Sequence, residues 1–133
     1  MKKLAFTIGD FDCINQDHIH LIKEMRKIAM PDNEVVVVLV DDYASFVNTR
    51  KFPIQDIHRR KNNLSFFVKE SSIRFSLSPD PGYAIETTIE LAKNSGLQPI
   101  FVAYDDNKEF TGRDILKKHN VSIRFIKKPY AKA

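Results

Sequence analysis

Polar side chains that could position a ligand are concentrated in one short segment, residues 9–18. Asp10 and Asp12 stand close together and are followed by Asn15 and His18. A carboxylate accepts hydrogen bonds, an asparagine amide both donates and accepts them, and an imidazole does either according to its tautomer. The segment could therefore hold a ligand. Aspartate is also a common turn former, so Asp12 has two possible roles at this point.

Four other residues are candidates for ligand binding, namely Lys51, Arg60, Asp105 and Asn107. Arg60 lies in the basic run 59–61, and such a run indicates either a solvated helix face or a contact with a phosphate. Asp105 could position a ligand or form a turn. For both residues the sequence leaves the two interpretations open.

We expect neither a metal site nor cysteine chemistry. His18 and His20 are two positions apart, and residues at that spacing on a helix point to different faces. Cys13 is the only cysteine, which excludes an intrachain disulfide and a cysteine-rich zinc site. Its predicted role is packing.

Glycine is scarce, and this excludes two common phosphate-binding loops. The chain has 4 glycines, and the closest pair, Gly82 and Gly96, is fourteen positions apart. The P-loop and the dinucleotide-binding fingerprint each need at least two glycines within a few residues. Any phosphate site in this chain must therefore be built differently.

The elements that would position these residues alternate between two hydrophobic periods. Apolar residues three or four positions apart predict a helix between each pair of strands. The continuous β-branched run Val35–Val40 is typical of a central parallel strand buried on both faces. The order predicts one α/β domain over residues 1–133, a Rossmann-like doubly wound sheet of five mainly parallel strands with helices on both faces. The predicted strands are residues 3–8, 35–40, 73–77, 99–104 and 121–126.

A ligand of such a sheet binds beyond the carboxyl ends of the strands, where the strand order reverses. The polar loops at 9–12, 41–42 and 105–107 are therefore the expected location of the site.

Two connections between the predicted elements are less regular. Residues 48–51 are predicted as a loop or a short helical stretch, and Pro53 is predicted in the first turn of the following helix.

Residues 8–22 carry a family resemblance. They are similar to the G-x-F-D-x-x-H-x-G-H-I-x-L-I opening of the cytidylyltransferase-like nucleotidyltransferases. The segment with Arg60, Leu64 and Phe67 resembles the second helix of that family, and residues 104–108 stand where the family has Gly-Asp-Asp-Trp-Lys. The residues that match the opening motif are Gly9, Phe11, Asp12, His18, Ile19 and Leu21.

The resemblance implies transfer of a nucleotidyl group from a nucleoside triphosphate, with Mg²⁺, to a phosphorylated small molecule, releasing pyrophosphate. It implies that His18, Asn15 and Arg60 are the catalytic positions. It also implies a homodimer. The positions that it implies for nucleotide binding are Gly9, Asp10, Phe11, Asp12, Lys51, Asp105 and Asn107.

The sequence departs from the family pattern at functional positions. Asn15 replaces a histidine and cannot become cationic. Asp17 replaces a glycine, and we expect it to be the N-cap of the helix, with its carboxylate where a phosphate would bind. Asn107 stands where the family has tryptophan or phenylalanine, and the stretch after Ile126 contains no serine- and threonine-rich motif.

Two hypotheses follow. The chain is either a nucleotidyltransferase-like protein whose chemistry is weakened or lost, or a non-catalytic descendant that binds a nucleotide, nucleic acid or protein partner.

Lys and Arg number 21 and Asp and Glu 17, giving a formal charge of +4. This excess is modest, so we do not expect nucleic-acid binding. The longest apolar run has about six residues, far below the ~20 of a membrane span, so we expect a cytoplasmic protein without membrane attachment.

Overall fold

The computed structural model describes residues 2–31, 34–78, 80–106, 110 and 112–129. Within them five strands form one sheet, in the order β3-β2-β1-β4-β5. Every neighbouring pair is parallel, and β1 at the centre pairs with both β2 and β4. The Rossmann-like α/β fold predicted from the sequence is confirmed. The strands are β1 (Lys3–Gly9), β2 (Glu34–Val40), β3 (Ile73–Ser76), β4 (Gln98–Tyr104) and β5 (Ser122–Ile126).

Helices cover both faces of this sheet because the central strands are apolar on both sides. Ala5, Val37 and Val102 pack with one helical layer, and their chain neighbours Phe6 and Val38 pack with the other. The first layer includes α1 (Gln16–Ile28) and the end of α3 (Ile57–Leu64). The second includes α4 (Gly82–Asn94) and α5 (Arg113–Lys118), while α2 (Asp42–Thr49) follows β2 directly.

Two helix starts differ from the prediction: α2 begins at Asp42, well before the loop or short helical stretch predicted over residues 48–51, and α3 begins after Pro53. The connection after β2 forms α2, whose N-cap Asp41 accepts a hydrogen bond from the Ala44 N–H at 2.7 Å. The next helix begins at Ile57, so the prediction of Pro53 in its first turn was wrong. Asp56 is the N-cap of α3, and its carboxylate accepts the Arg59 N–H at 2.9 Å. A side-chain cap thus decides where this helix starts.

Helices α4 and α5 end in the same way before they lead into the next strand. Gly96 follows α4 in the left-handed conformation (φ 74°), and the Leu97 N–H bonds back to the Ala92 carbonyl at 2.8 Å. At the end of α5, Asn120 has φ 55° and the Val121 N–H bonds back across five residues in the same manner. Both are Schellman motifs, which satisfy the last helical carbonyls. They deliver the chain directly to β4 and β5.

The strand order creates one reversal point. From β1 the chain moves outward through β2 to β3, then crosses back to β4 on the other side of β1. The connections after β1 and β4 therefore diverge and leave a crevice between the carboxyl ends of these strands. None of the helices within the described ranges is long and apolar enough to cross a membrane.

Candidate functional site

A crevice opens at the carboxyl ends of β1 and β4. It consists of two adjoining cavities of about 220 and 270 Å³. Ile8, Leu21, Tyr104 and Lys128 line both of them. We call this region the β1–β4 crevice. Its other lining residues are Gly9, Asp10, Phe11, Asn15, Asp17 and His18 in one cavity, and Thr7, Phe101, Ala103, Asp106 and Phe110 in the other.

The N-terminus of α1 forms one wall of the crevice and carries its own cap. The Asn15 side-chain oxygen accepts the N–H groups of Asp17 and His18, at 2.9 and 3.3 Å. In return, the Asn15 N–H donates to Nδ1 of His18 at 3.1 Å, which completes a capping box. The prediction that Asp17 is the N-cap was therefore wrong: Asn15 has the extended backbone of a cap, and Asp17 lies in the first helical turn.

This cap changes what the helix end can bind. Free N–H groups at a helix N-terminus bind anions. Here the amides of Asp17 and His18 are already bonded to the neutral oxygen of Asn15. A phosphate at this end would have to displace that oxygen, and α1 would lose its cap.

His18 is held as a neutral hydrogen-bond donor. Because its Nδ1 accepts the Asn15 N–H, the neutral ring carries its proton on Nε2. Burial lowers the pKa of His18 below its ordinary value, and the carboxylates of Asp10, Asp17 and Asp12 only partly oppose this. The ring also packs against Phe11, with 5.0 Å between ring centroids.

The loop from Gly9 to Cys13 brings Phe11 back under this histidine. Phe11 and Cys13 both have positive φ, 49° and 51°, and Phe11 is buried. A Cβ atom at Gly9 would lie 3.3 Å from the Phe11 ring, closer than such atoms normally approach. A side chain at position 9 would therefore require the Phe11 ring to shift by a few tenths of an ångström.

On the opposite wall, Tyr104 and Lys128 form a network of polar contacts that was not predicted from the sequence. The Tyr104 hydroxyl donates to the backbone carbonyl of Asp17 at 2.5 Å. Nζ of Lys128 lies 5.5 Å from the centre of the Tyr104 ring and 2.7 Å from Oδ2 of Asp106. The same Nζ is 4.0 Å from Oδ2 of Asp17. Lys128 follows the last strand, so the rule that ligands bind beyond strand ends could have indicated it.

Asp12 does not line the two cavities; it anchors a neighbouring loop. Its two carboxylate oxygens accept the N–H groups of Ile54 and Gln55 at 2.7 and 2.9 Å. Burial tends to raise the pKa of Asp12, but these two bonds, the nearby Arg60 charge and Cys13 together hold it below its ordinary value. The carboxylate is thus ionised at neutral pH, and each of its oxygens accepts a backbone N–H.

Arg60 was expected to lie either on a solvated helix face or against a phosphate. The solvated helix face is wrong, because the Arg60 side chain is 0% exposed. Its guanidinium donates to the carbonyls of Gln55, Asp10 and Val40 at 2.7–3.0 Å. It also donates to Oδ1 of Asp42 at 2.7 Å. We call this arrangement the Arg60 brace, because it joins the loops that follow β1 and β2 to the loop before α3.

The structure brings five of the predicted site residues together in one cavity, and the other described ones lie elsewhere. Those that line the β1–β4 crevice are Gly9, Asp10, Phe11, Asn15 and His18. Asp12 and Arg60 make the loop contacts described above, and Lys51 is exposed beyond α2. The Asp105 N–H bonds to the Ile126 carbonyl at 2.9 Å and so joins the ends of β4 and β5. Asn107 lies outside the described residues.

A magnesium site is not preformed. No group of three or more histidine, cysteine or acidic residues is placed to hold a metal ion within the described ranges. The aspartates that line the crevice are spread over both walls, and Asp106 already pairs with Lys128. The residues that the structure describes here therefore do not form a ligand set that would hold Mg²⁺ by itself.

Comparison with known proteins supports the fold alone. No protein-family profile matches the chain, and no curated protein matches it. Among solved structures, it is similar to the crystal structure of the lipopolysaccharide core biosynthesis protein from Thermoplasma volcanium GSS1. The TM-score is 0.65 and the identity 23%, over 99% of this chain and 100% of that one. The two proteins share a Rossmann-like α/β fold over their whole described length.

Proposed function

We propose that this chain is a nucleotidyltransferase-like protein that binds a nucleoside or nucleotide in the β1–β4 crevice, with nucleotidyl transfer weakened or lost. The observation that carries the proposal is the capping box at α1. Asn15 and His18 stand at positions where the family resemblance implies catalysis, yet they bond to each other and to the helix amides. The crevice is present, but the groups that the resemblance implies for phosphate binding stabilise the start of α1 instead.

The loss of chemistry follows from charge. Nucleotidyl transfer depends on positive groups and on helix amides that stabilise the developing charge on the phosphates. Asn15 is neutral, and His18 is held in its neutral form by burial. Arg60 directs its N–H groups to protein acceptors. Asp17 adds a carboxylate 4.0 Å from Nζ of Lys128, which lines both cavities, and offsets part of its positive charge.

The alternative is an enzyme that still transfers a nucleotidyl group. One observation favours it: Nε2–H of His18 and the Nζ of Lys128 belong to side chains that line the same cavity. A donor and a cation in one crevice could orient a phosphate and stabilise a leaving group. The name of the structural neighbour, a protein of lipopolysaccharide core biosynthesis, is also consistent with a biosynthetic activity.

A thermal-shift screen tests the binding proposal. We expect at least one of the four common nucleosides, or its mono- or triphosphate, to raise the melting temperature. Tyr104→Ala should abolish that shift because Tyr104 lines both cavities. Tyr83→Ala is the matched control, since Tyr83 is 77% exposed on α4. If none of these ligands stabilises the protein, the proposed function is wrong.

A second assay separates the two hypotheses. The protein is incubated at high concentration with each triphosphate, Mg²⁺ and glycerol 3-phosphate, nicotinamide mononucleotide or phosphopantetheine. We expect no pyrophosphate release above the protein-free rate. Release that disappears in His18→Ala would show that the alternative is right and that the chemistry has survived.

A further inference from the structure

We infer that the β1–β4 crevice recognises the uncharged nucleoside portion of its ligand and selects against the triphosphate. This inference rests on the proposed function and specifies the ligand class of the same site. It runs against the family resemblance, which implies a nucleoside triphosphate. Three properties of the crevice lead to it, namely its apolar wall, its net charge and the state of its polar groups.

The cavity of about 270 Å³ suits a ring system. This cavity is lined by the apolar side chains of Ile8, Leu21, Phe101 and Phe110. Thr7 and Tyr104 add hydroxyl groups to its lining, and that of Tyr104 also donates to the Asp17 carbonyl. An apolar wall with a few polar groups is typical of pockets that bind small organic ligands. A base and sugar would find both hydrophobic contact and hydrogen-bonding partners there.

The charges around the crevice oppose a polyphosphate. Among the residues that the structure describes, three carboxylates line it, those of Asp10, Asp17 and Asp106, together with one ammonium group, that of Lys128. With His18 neutral, these lining residues have a formal charge of 1 − 3 = −2. Like charges at short range weaken binding strongly where the surroundings are partly desolvated. Each phosphate added to a nucleoside should therefore lower its affinity.

The groups that could offset this repulsion are engaged. Nζ of Lys128 lies 2.7 Å from Oδ2 of Asp106 and 4.0 Å from Oδ2 of Asp17. The amides at the start of α1 are capped by Asn15. A triphosphate would have to displace these partners as well as overcome the negative field. An uncharged nucleoside needs neither change.

Isothermal titration calorimetry in low salt with EDTA tests this inference. The ligands are the nucleoside that gives the largest thermal shift, its monophosphate and its triphosphate. We expect affinity to fall in that order, with the triphosphate at least about tenfold weaker than the nucleoside. Raising the salt concentration should narrow the difference, because salt screens charge repulsion.

Charge-neutralising variants make the test specific. Asp17→Asn removes one carboxylate and releases Lys128 from one partner, so triphosphate affinity should rise about tenfold while nucleoside affinity changes less than about twofold. Glu90→Gln is the matched control, because Glu90 is exposed near the C-terminal end of α4 and does not line the crevice. It removes the same charge away from the crevice and should leave both affinities unchanged.

The outcomes distinguish this inference from the proposed function. If the triphosphate binds in EDTA as tightly as the nucleoside, or Asp17→Asn behaves like Glu90→Gln, the inference is wrong while the proposed function stands. If no nucleoside or nucleotide binds at all, the proposed function and this inference both fail. The expected order of affinities, with a smaller difference between nucleoside and triphosphate in Asp17→Asn, would support both.

Discussion

The two sides of the β1 carboxyl end have the same kind of loops but opposite uses of their polar groups. On the side of β2, the Arg60 brace and Asp12 bind protein acceptors and donors at 2.7–3.0 Å. On the side of β4, the chain diverges and leaves the crevice with Lys128 and three aspartates on its walls. One side holds the loops together, and the other is open to a ligand.

The difference shows that a polar residue near a strand end is not a site residue by position alone. Arg60 and Lys128 are both basic and both reach the carboxyl edge of the sheet. Arg60 is fully buried, whereas the Lys128 side chain is 31% exposed. A buried guanidinium must have its N–H groups bonded to the protein. A partly exposed ammonium can exchange its partners for a ligand.

The largest expected effect comes from breaking the brace. Arg60→Met keeps a long apolar side chain but leaves the carbonyls of Asp10 and Val40 and the carboxylate of Asp42 without their donor. The Asp42 side chain is 36% exposed and stays solvated, so the cost comes from the charge-assisted hydrogen bonds of the guanidinium to backbone carbonyls, about 1.5–3 kcal/mol each and about 3–5 kcal/mol together. We expect a loss of this size in the free energy of unfolding, measured by urea denaturation. Arg59→Met, at an exposed neighbour, should cost less than about 0.5 kcal/mol. Equal effects of the two variants would contradict the brace.

The anchor at Asp12 should have the next largest effect. Asp12→Ala removes the acceptor of two N–H groups, and hydrogen bonds to a charged group contribute about 1.5–3 kcal/mol. We expect a loss of about 2 kcal/mol, with Asp12→Asn intermediate because its amide oxygen keeps one acceptor. Since folding lowers the pKa of Asp12, its ionic contribution is present above the unfolded-state pKa and is lost as the pH falls through the folded-state pKa. That part of the acid destabilisation should be absent in Asp12→Ala.

On the crevice side, Asn15→Ala should have a smaller effect. Replacing an asparagine N-cap by alanine costs about 1 kcal/mol, which urea denaturation can resolve. Asn15→Asp keeps an acceptor at the cap and should restore most of the stability. If Asn15→Asp were as unstable as Asn15→Ala, the side chain would not be acting as the cap.

The smallest effect concerns the response of His18 to pH. Its folded-state pKa is lowered, so the unfolded chain takes up a proton first and stability falls as the pH drops below about 6.5, the ordinary histidine value. His18→Gln should keep the capping box, because glutamine at this position can accept the Asn15 N–H. We therefore expect little change in melting temperature at pH 8 and a flatter decline between pH 7 and pH 5. An unchanged slope would show that another group causes the decline.

Much of the fold could be predicted because its signals are local. The run Val35–Val40 is β-branched and continuous, and it forms the buried strand β2 next to the centre of the sheet. The alternation of strand and helix periods led to the parallel sheet, and the reversal rule indicated the loop after β1. Helix starts were harder, because the caps Asn15 and Asp56 compete with nearby residues of similar capping strength, such as Asp17.

The site residues differ in the same way: some could be placed from local sequence signals and others could not. The sequence by itself determined the layered α/β fold and brought Asp10, Asn15 and His18 to a strand end, because spacing and hydrophobic period act between near neighbours. Only the tertiary structure decided that Arg60 is buried and that Lys128 lines the crevice. Asp10 and Arg60 are 50 positions apart, and Tyr104 bonds to Asp17 across 87. Contacts at such separations depend on how the loops meet once the sheet has formed. The sequence pattern around a basic residue is therefore the same whether its side chain is buried against backbone carbonyls or lines a cavity.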